Sequence, residues 1–269
     1  MLLEIIKIQM KAISRIILIS IIHYLSTGII AQSIIFQNQH FDSTQVELKF
    51  MKPFFDDAEG ISFFTGIYEL QVSTPISSNW NFVGNLPFGY TKIDFRGFSN
   101  SSSDIGNPFL GIQSDDLLIG VFLPLMSEDG NFIGAQTNLH DFHRYAPDVV
   151  TIYGNYQFMP ATDSGIGYEV GPRIYIPTEG GGDIEAILHY GLKFISAGGS
   201  IGFSGEYNGW FFASEDFGDF TDRLNHMLSG GIFFNKNGFV PSLFVSTYLK
   251  EEQRDDIPLI VGLKLRVKM

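Results

Sequence analysis

The residues best equipped for chemistry form one stretch: His140, Asp141, His143, Arg144 and Asp148. His140 and His143 stand three apart with carboxylates beside them, and imidazoles at such a spacing bind a divalent metal when further ligands close the shell. No closed ligand spacing completes the set, so the stretch reads as a solvated polar loop and no metal is assigned. Asn225, His226 and Ser229 lie close in sequence, but neighbouring strand residues point to opposite faces, so Asn225 and His226 cannot share a pocket. His189 repeats on one polar face with Glu185 and Lys193, which makes it channel lining rather than a catalytic base. Gly180-Gly181-Gly182 follows Glu179, lacks a following Lys-Ser/Thr, and reads as a hairpin loop rather than a phosphate cradle. The chain has no cysteine, which excludes disulfides, thiol catalysis and thiolate metal sites. No catalytic residue, cofactor or metal ligand is therefore expected, and no enzyme activity.

The elements that carry these residues have a period of two. Val150, Ile152, Gly154, Tyr156 and Phe158 alternate with Thr151, Tyr153, Asn155 and Gln157. Ile166, Tyr168, Val170, Pro172, Ile174 and Ile176 alternate with Gly167, Glu169, Gly171, Arg173 and Tyr175. The same pattern runs through Trp80–Tyr90, Ile184–Phe194 and Ile201–Phe211. Such alternation predicts strands with one apolar and one polar face. About twelve strands are expected, near 44–52, 61–76, 78–92, 105–113, 117–126, 149–159, 165–177, 184–196, 199–213, 222–236, 239–250 and 258–269. No stretch after residue 31 has a convincing helical period. Pro87, Pro108, Pro124, Pro172 and Pro241 would each cost a ladder bond, which predicts bulges or local edges there.

Odd-numbered connections between these strands are long and even-numbered ones are short. In an up-and-down meander that places long loops on one rim and tight turns, such as Asn237-Gly238, on the other. The expected fold is all-β, a single up-and-down antiparallel transmembrane β-barrel over 32–269. Three features favour membrane over solvent. Ionisable groups sit mid-strand on the polar faces, where a dry soluble core would penalise each by several kcal/mol. Aromatic residues such as Tyr90, Phe158, Tyr190 and Phe211 recur near strand ends on the apolar face, as interfacial girdles do. Finally, Val261, Leu263, Leu265, Val267 and Met269 alternate with Gly262, Lys264, Arg266 and Lys268 up to the last residue, as a strand that closes a barrel must. The predicted lumen lining is Glu69, Glu169, Arg173, Tyr175, Glu185, His189, Lys193, Glu206 and Trp210, with Tyr153 and Phe244 as further inward aromatics.

Residues 1–31 read as a secretory signal peptide. Lys11 and Arg15 precede an apolar run from Ile16 to Ile30, and Ala31 follows as the small cleavage residue, although Ile29 departs from the small-x-small rule. Met10 begins a normal signal of this kind, so it competes with Met1 as the start. The whole chain of 269 residues carries 17 basic and 29 acidic side chains, a net of −12. Without Lys7, Lys11, Arg15 and Glu4 the balance is 14 against 28, or −14. That acidity argues against a nucleic-acid partner. Mean hydropathy of +0.12 is too low for a bundle of membrane helices.

Signal, alternating strands and terminal strand together resemble the outer-membrane β-barrels of Gram-negative bacteria. Met269 stands where that class ends on an aromatic. Asn85-Leu86-Pro87-Phe88-Gly89-Tyr90 and Ile105-Gly106-Asn107-Pro108-Phe109-Leu110-Gly111 resemble segments of the transporter-type barrels associated with phenol-degradation meta-pathways. The resemblance implies a cell-outer-membrane location, contact with outer-membrane lipid and lipopolysaccharide, and folding by the barrel-assembly machinery. The function it favours is passive passage of a small-molecule solute, ahead of a barrel enzyme acting on lipid or envelope polymer and of a structural or adhesive barrel. Acids cluster on the long-loop rim at Asp56, Asp57, Glu59, Glu128, Asp129, Glu215, Asp216, Asp219, Glu251, Glu252, Asp255 and Asp256. They form either a plain solvated surface or a negative mouth that gathers cations.

Overall fold

The computed structural model describes residues 42–55, 61–95, 97–126, 147–158, 164–179, 182–197, 200–214, 219–234 and 238–269. The expected signal, the His140–Arg144 cluster, the 127–146 part of the longest loop, Asn237, and the acids at 56, 57, 59, 128, 129, 215 and 216 lie outside the described residues.

The alternating runs form β1 (Gln45–Phe54), β2 (Ile61–Pro75), β3 (Asn81–Phe95), β4 (Phe98–Ile105), β5 (Phe109–Gln113), β6 (Leu117–Phe122) and β7 (Val149–Phe158). They continue as β8 (Ser164–Pro177), β9 (Glu185–Ala197), β10 (Ile201–Phe212), β11 (Leu224–Phe234), β12 (Phe239–Tyr248) and β13 (Leu259–Lys268). Successive strands pair antiparallel, and β1 pairs β13 from Gln45↔Lys268 to Phe54↔Leu259, so the sheet closes on itself. Both β4 and β5 pair with β3, at Phe88–Phe95 and Asn81–Asn85 respectively, and so form one stave of the wall. The result is a closed twelve-stave antiparallel barrel. Closure satisfies the ladder groups of the first and last strands that an open sheet would leave as edges.

Two expectations change. The alternation predicts a fourth strand at 105–113 after a long loop; instead β3 and β4 run on as a hairpin that turns at Gly97, whose φ of 89° favours glycine. The Ser- and Asn-rich sequence of β4 carries no apolar alternation because no face of that hairpin needs covering. The connection after β12 also contains a single-turn helix, α1 (Glu251–Asp256), too short to show a helical period. The expected proline effects appear at two places. Gly106-Asn107-Pro108 bulges opposite Leu86-Pro87, held by the Gly106 N–H donating to the Pro87 carbonyl at 2.9 Å. Beside Pro172 the β7–β8 ladder skips from Tyr153↔Arg173 to Tyr156↔Val170. At that gap a Cβ on Gly171 would lie 1.9 Å from the Gly154 carbonyl oxygen, so only glycine fits.

The two faces divide as the alternation predicts. The outward positions carry mainly exposed apolar side chains, as at Leu192 (56 %), while its chain neighbour Lys193 points inward and is 1 % exposed. The strand ends on either side of the connections at 55–60, 123–148, 178–184, 213–223 and 249–258 lie at one rim, the long-loop rim, with the β3–β4 hairpin; those flanking 76–80, 114–116, 159–163, 198–200 and 235–238 lie at the opposite, short-turn rim.

Candidate functional site: the barrel lumen

Glu69, Glu169, Arg173, Tyr175, His189, Lys193, Glu206 and Trp210 are buried, and Glu185, nearest the long-loop rim, is half-buried. Glu69, Glu169 and Lys193 are withdrawn from solvent and ion-paired, which offsets the cost of burying their charge.

The partners lie across strands. Lys193 reaches the Glu169 Oε2 at 2.5 Å and donates to Gln157 Oε1 at 3.2 Å. Asn155 donates to the same Glu169 at 3.2 Å, and its Oδ1 lies 2.9 Å from the His189 Nε2. His189 stacks on Tyr153 with ring centroids 5.2 Å apart and planes 9° from parallel, and the Arg173 guanidinium lies over the same tyrosine at 5.6 Å. His189 is thus positioned by β7, not by Glu185 on its own strand.

A second ionic group crosses the closing seam. Glu47 Oε2 accepts from Arg266 Nε at 3.0 Å and Nη2 at 2.9 Å, while its Oε1 lies 3.4 Å from the Lys264 ammonium. One strand over, Lys49 and Glu69 pair at 3.5 Å, and Asn85 donates to Glu69 at 3.4 Å. Lys264 and Arg266 are legible as polar positions of the terminal strand. Glu47 and Lys49 were missed, although the alternation Gln45, Glu47, Lys49, Met51 carried the signal.

The lumen is also more apolar than the sequence suggested. Towards the long-loop rim Met51, Ile187, Trp210, Met227, Phe244 and Tyr248 form one buried cluster. Two connecting segments add to it. Met126 is held by Asn107, whose Oδ1 accepts the Leu125 and Met126 N–H groups at 3.1 Å each. Ile257 enters just after α1, whose Gln253 donates to the inward Asn225. A second cluster, Val83, Phe109, Leu118, Phe122 and Tyr153, lines one side of the wall. The main apolar, aromatic cluster thus lies in the upper half, toward the long-loop rim, beside inward Glu185, Arg173 and His189, while the paired lysines and Arg266 lie at and below mid-height, where Val83, Leu118 and Phe233 add apolar surface.

Other candidates resolve simply. Asn225 faces inward and His226 outward, while Ser229 donates to Ser246 at 2.8 Å, so these three do not converge. Asp148, the described member of the histidine loop, has φ of 54°, and its carbonyl accepts from the Thr178 N–H at 2.7 Å. Among the described residues no group of three metal-ligating side chains converges.

No protein-family model and no curated protein matches the chain. Solved structures do. The chain is similar to an outer-membrane channel, COG4313, from Pseudomonas putida, at 10 % identity and a TM-score of 0.57, covering 88 % of this chain and 99 % of that one. It is similar to the translocator domain of the autotransporter NalP from Neisseria meningitidis, at 9 % identity and a TM-score of 0.51, covering 86 % and 90 %. A looser likeness, TM-score 0.46 at 8 % identity over 87 % and 89 %, is to the CymD monoaromatic hydrocarbon channel. The fold is that of the outer-membrane β-barrels.

Proposed function

We propose that this barrel sits in a Gram-negative outer membrane and passes small molecules through its wall-enclosed lumen without covalent chemistry. One observation carries the reading: the inward face holds a buried apolar, aromatic cluster toward the long-loop rim, and its basic residues Lys49, Lys193, Lys264 and Arg266 are each ion-paired. A lining of this kind suits a small solute with an apolar body. Such a solute replaces side-chain contacts in the upper half without stripping a charge. It then meets hydrogen-bonding groups below. Paired charges set no strict filter, and the mixed signs favour weak selectivity. On this reading residues 1–31 direct export, the barrel-assembly machinery inserts the chain, and lipid and lipopolysaccharide surround it.

Uptake into proteoliposomes tests the proposal. Wild-type barrel is expected to admit small apolar solutes faster than protein-free vesicles do. Trp210→Ala, which opens the upper half, is expected to change that rate without preventing folding. A folded barrel that neither conducts nor admits solute refutes the transport reading and favours a structural one.

A further inference from the structure

Buried charge does not balance across the closing seam. On β13, β1 and β2 the described residues bury Lys49, Lys264 and Arg266 against Glu47 and Glu69, an excess of one cation. Arg266 holds the Glu47 Oε2 through two nitrogens, at 3.0 and 2.9 Å. The lysines lie further from these carboxylates: Lys264 is 3.4 Å from the Glu47 Oε1, and Lys49 is 3.5 Å from the Glu69 Oε1. Tight ammonium–carboxylate contacts are about 2.7–2.9 Å.

Lys49 and Lys264 also stand directly opposite each other in the β1–β13 register, on the same inward face. Opposed residues of an antiparallel pair have Cα atoms about 5 Å apart, and like charges so placed repel. Lys264 feels Lys49 and Arg266 as like charges and Glu47 and Glu206 as opposite ones. Glu206 belongs to β10, where it is opposite Lys193 and accepts from Asn208 at 3.4 Å. The lumen as a whole is therefore mixed in sign, and the excess of one cation is local to the seam.

On the long-loop side of the two lysines the wall is apolar. Met51 is the next inward residue after Lys49. It is opposite Ile67 on one side and Gly262 on the other, and the Phe244 ring covers Gly262. Met51, Ile67 and Phe244 are all buried. Two ammonium groups side by side match the two oxygens of a carboxylate. A single missing negative charge calls for a monoanion. An apolar surface about 7 Å along the strand calls for an apolar body attached to it.

We propose that Lys49 and Lys264 bind the carboxylate of a small organic monoacid whose apolar body rests on Met51, Ile67 and Phe244. The proposal rests on the small-molecule passage reading and names its substrate class. It concerns a bound organic solute; current carried by inorganic ions answers to the rim and the whole lumen.

The test is fluorine NMR titration of the full barrel in phosphatidylcholine nanodiscs with three probes of similar shape: 4-fluorobenzoate, 4-fluorobenzamide and 4-fluorobenzylamine. Wild type is expected to bind the acid saturably, about tenfold or more tighter than the amide or the amine, the gain of charged hydrogen bonds. Lys49→Gln with Glu69→Gln removes a cation and its carboxylate together, and is expected to weaken acid binding by about tenfold. Lys92→Gln, exposed on the outward face, should leave it unchanged. Heat-modifiable migration reports folding of each variant, and the wild-type comparison of acid with amide decides the matter if the double variant does not fold. Equal binding of acid and amide, or undiminished acid binding by the folded double variant, overturns the proposal. Proteoliposome uptake separates the two readings. A barrel that passes solutes but binds acid and amide equally keeps transport and loses the site; one that binds the acid but passes nothing keeps the site and loses transport.

Discussion

Leu192→Arg puts the outward face to a quantitative test. Leu192 is 56 % exposed on β9, flanked in register by Tyr168 and Tyr207. In a water-soluble barrel, arginine at so open a surface position changes stability by about 0.5 kcal/mol or less. In a membrane the answer depends on depth. Leu192 lies seven residues from the start of β9 at Glu185 and five from its end at Ala197. At about 3.4 Å per residue and a tilt of about 40°, those spans are roughly 18 and 13 Å of depth, close to the middle of a ~25 Å apolar band. Arginine there costs about 2–4 kcal/mol, which is a fall of roughly 30- to 700-fold in the folding equilibrium. The assay is urea-dependent folding into phospholipid vesicles, followed by heat-modifiable migration and tryptophan fluorescence, with Leu192→Gln as the size control. Ile174→Arg should cost less, because Ile174 lies only three residues from the end of β8 at Pro177. A Leu192→Arg barrel that folds with less than about 0.5 kcal/mol lost would refute a lipid-facing wall.

Four further outcomes follow from the same geometry. Glu169→Gln removes the carboxylate that lies 2.5 Å from the 1 %-exposed Lys193 and is expected to lose about 3 kcal/mol in the same titration. Gly262→Ala places a Cβ 2.1 Å from the Phe244 ring, so the ring must move; a loss of about 1–3 kcal/mol is expected, part of it recovered by adding Phe244→Leu. A protease site inserted at Ser101 on the β3–β4 hairpin should be cut on intact cells, while one at Gly238 should be protected, and the reverse result would invert the barrel. Reversal potentials under a salt gradient should show weak cation preference at low salt that fades as salt rises; clear anion selectivity would mean that the basic lumen residues, not the acidic rim, govern passage.

Much was legible from local pattern alone. The stave count, most strand positions and the inward or outward sense of residues such as Arg173 and Ile174 follow from a period of two, which short local stretches display; β4, without apolar alternation, escaped it. The buried parity of the positions from Glu69 to Trp210 is readable locally because parity does not depend on which strands meet. What required the tertiary structure is everything that depends on register and closure. Glu47 meets Arg266 only because the first and last strands pair, and nothing near either residue encodes that distance along the chain. His189 stacks on Tyr153 rather than answering to Glu185 for the same reason: side chains in a barrel interact mainly across strands. Met126 and Ile257 enter the lumen from connecting segments, where no periodicity announces an inward position. Whether the polar face met water or other side chains was likewise undecidable from alternation, since both surroundings produce the same pattern and only the barrel's width and packing distinguish them.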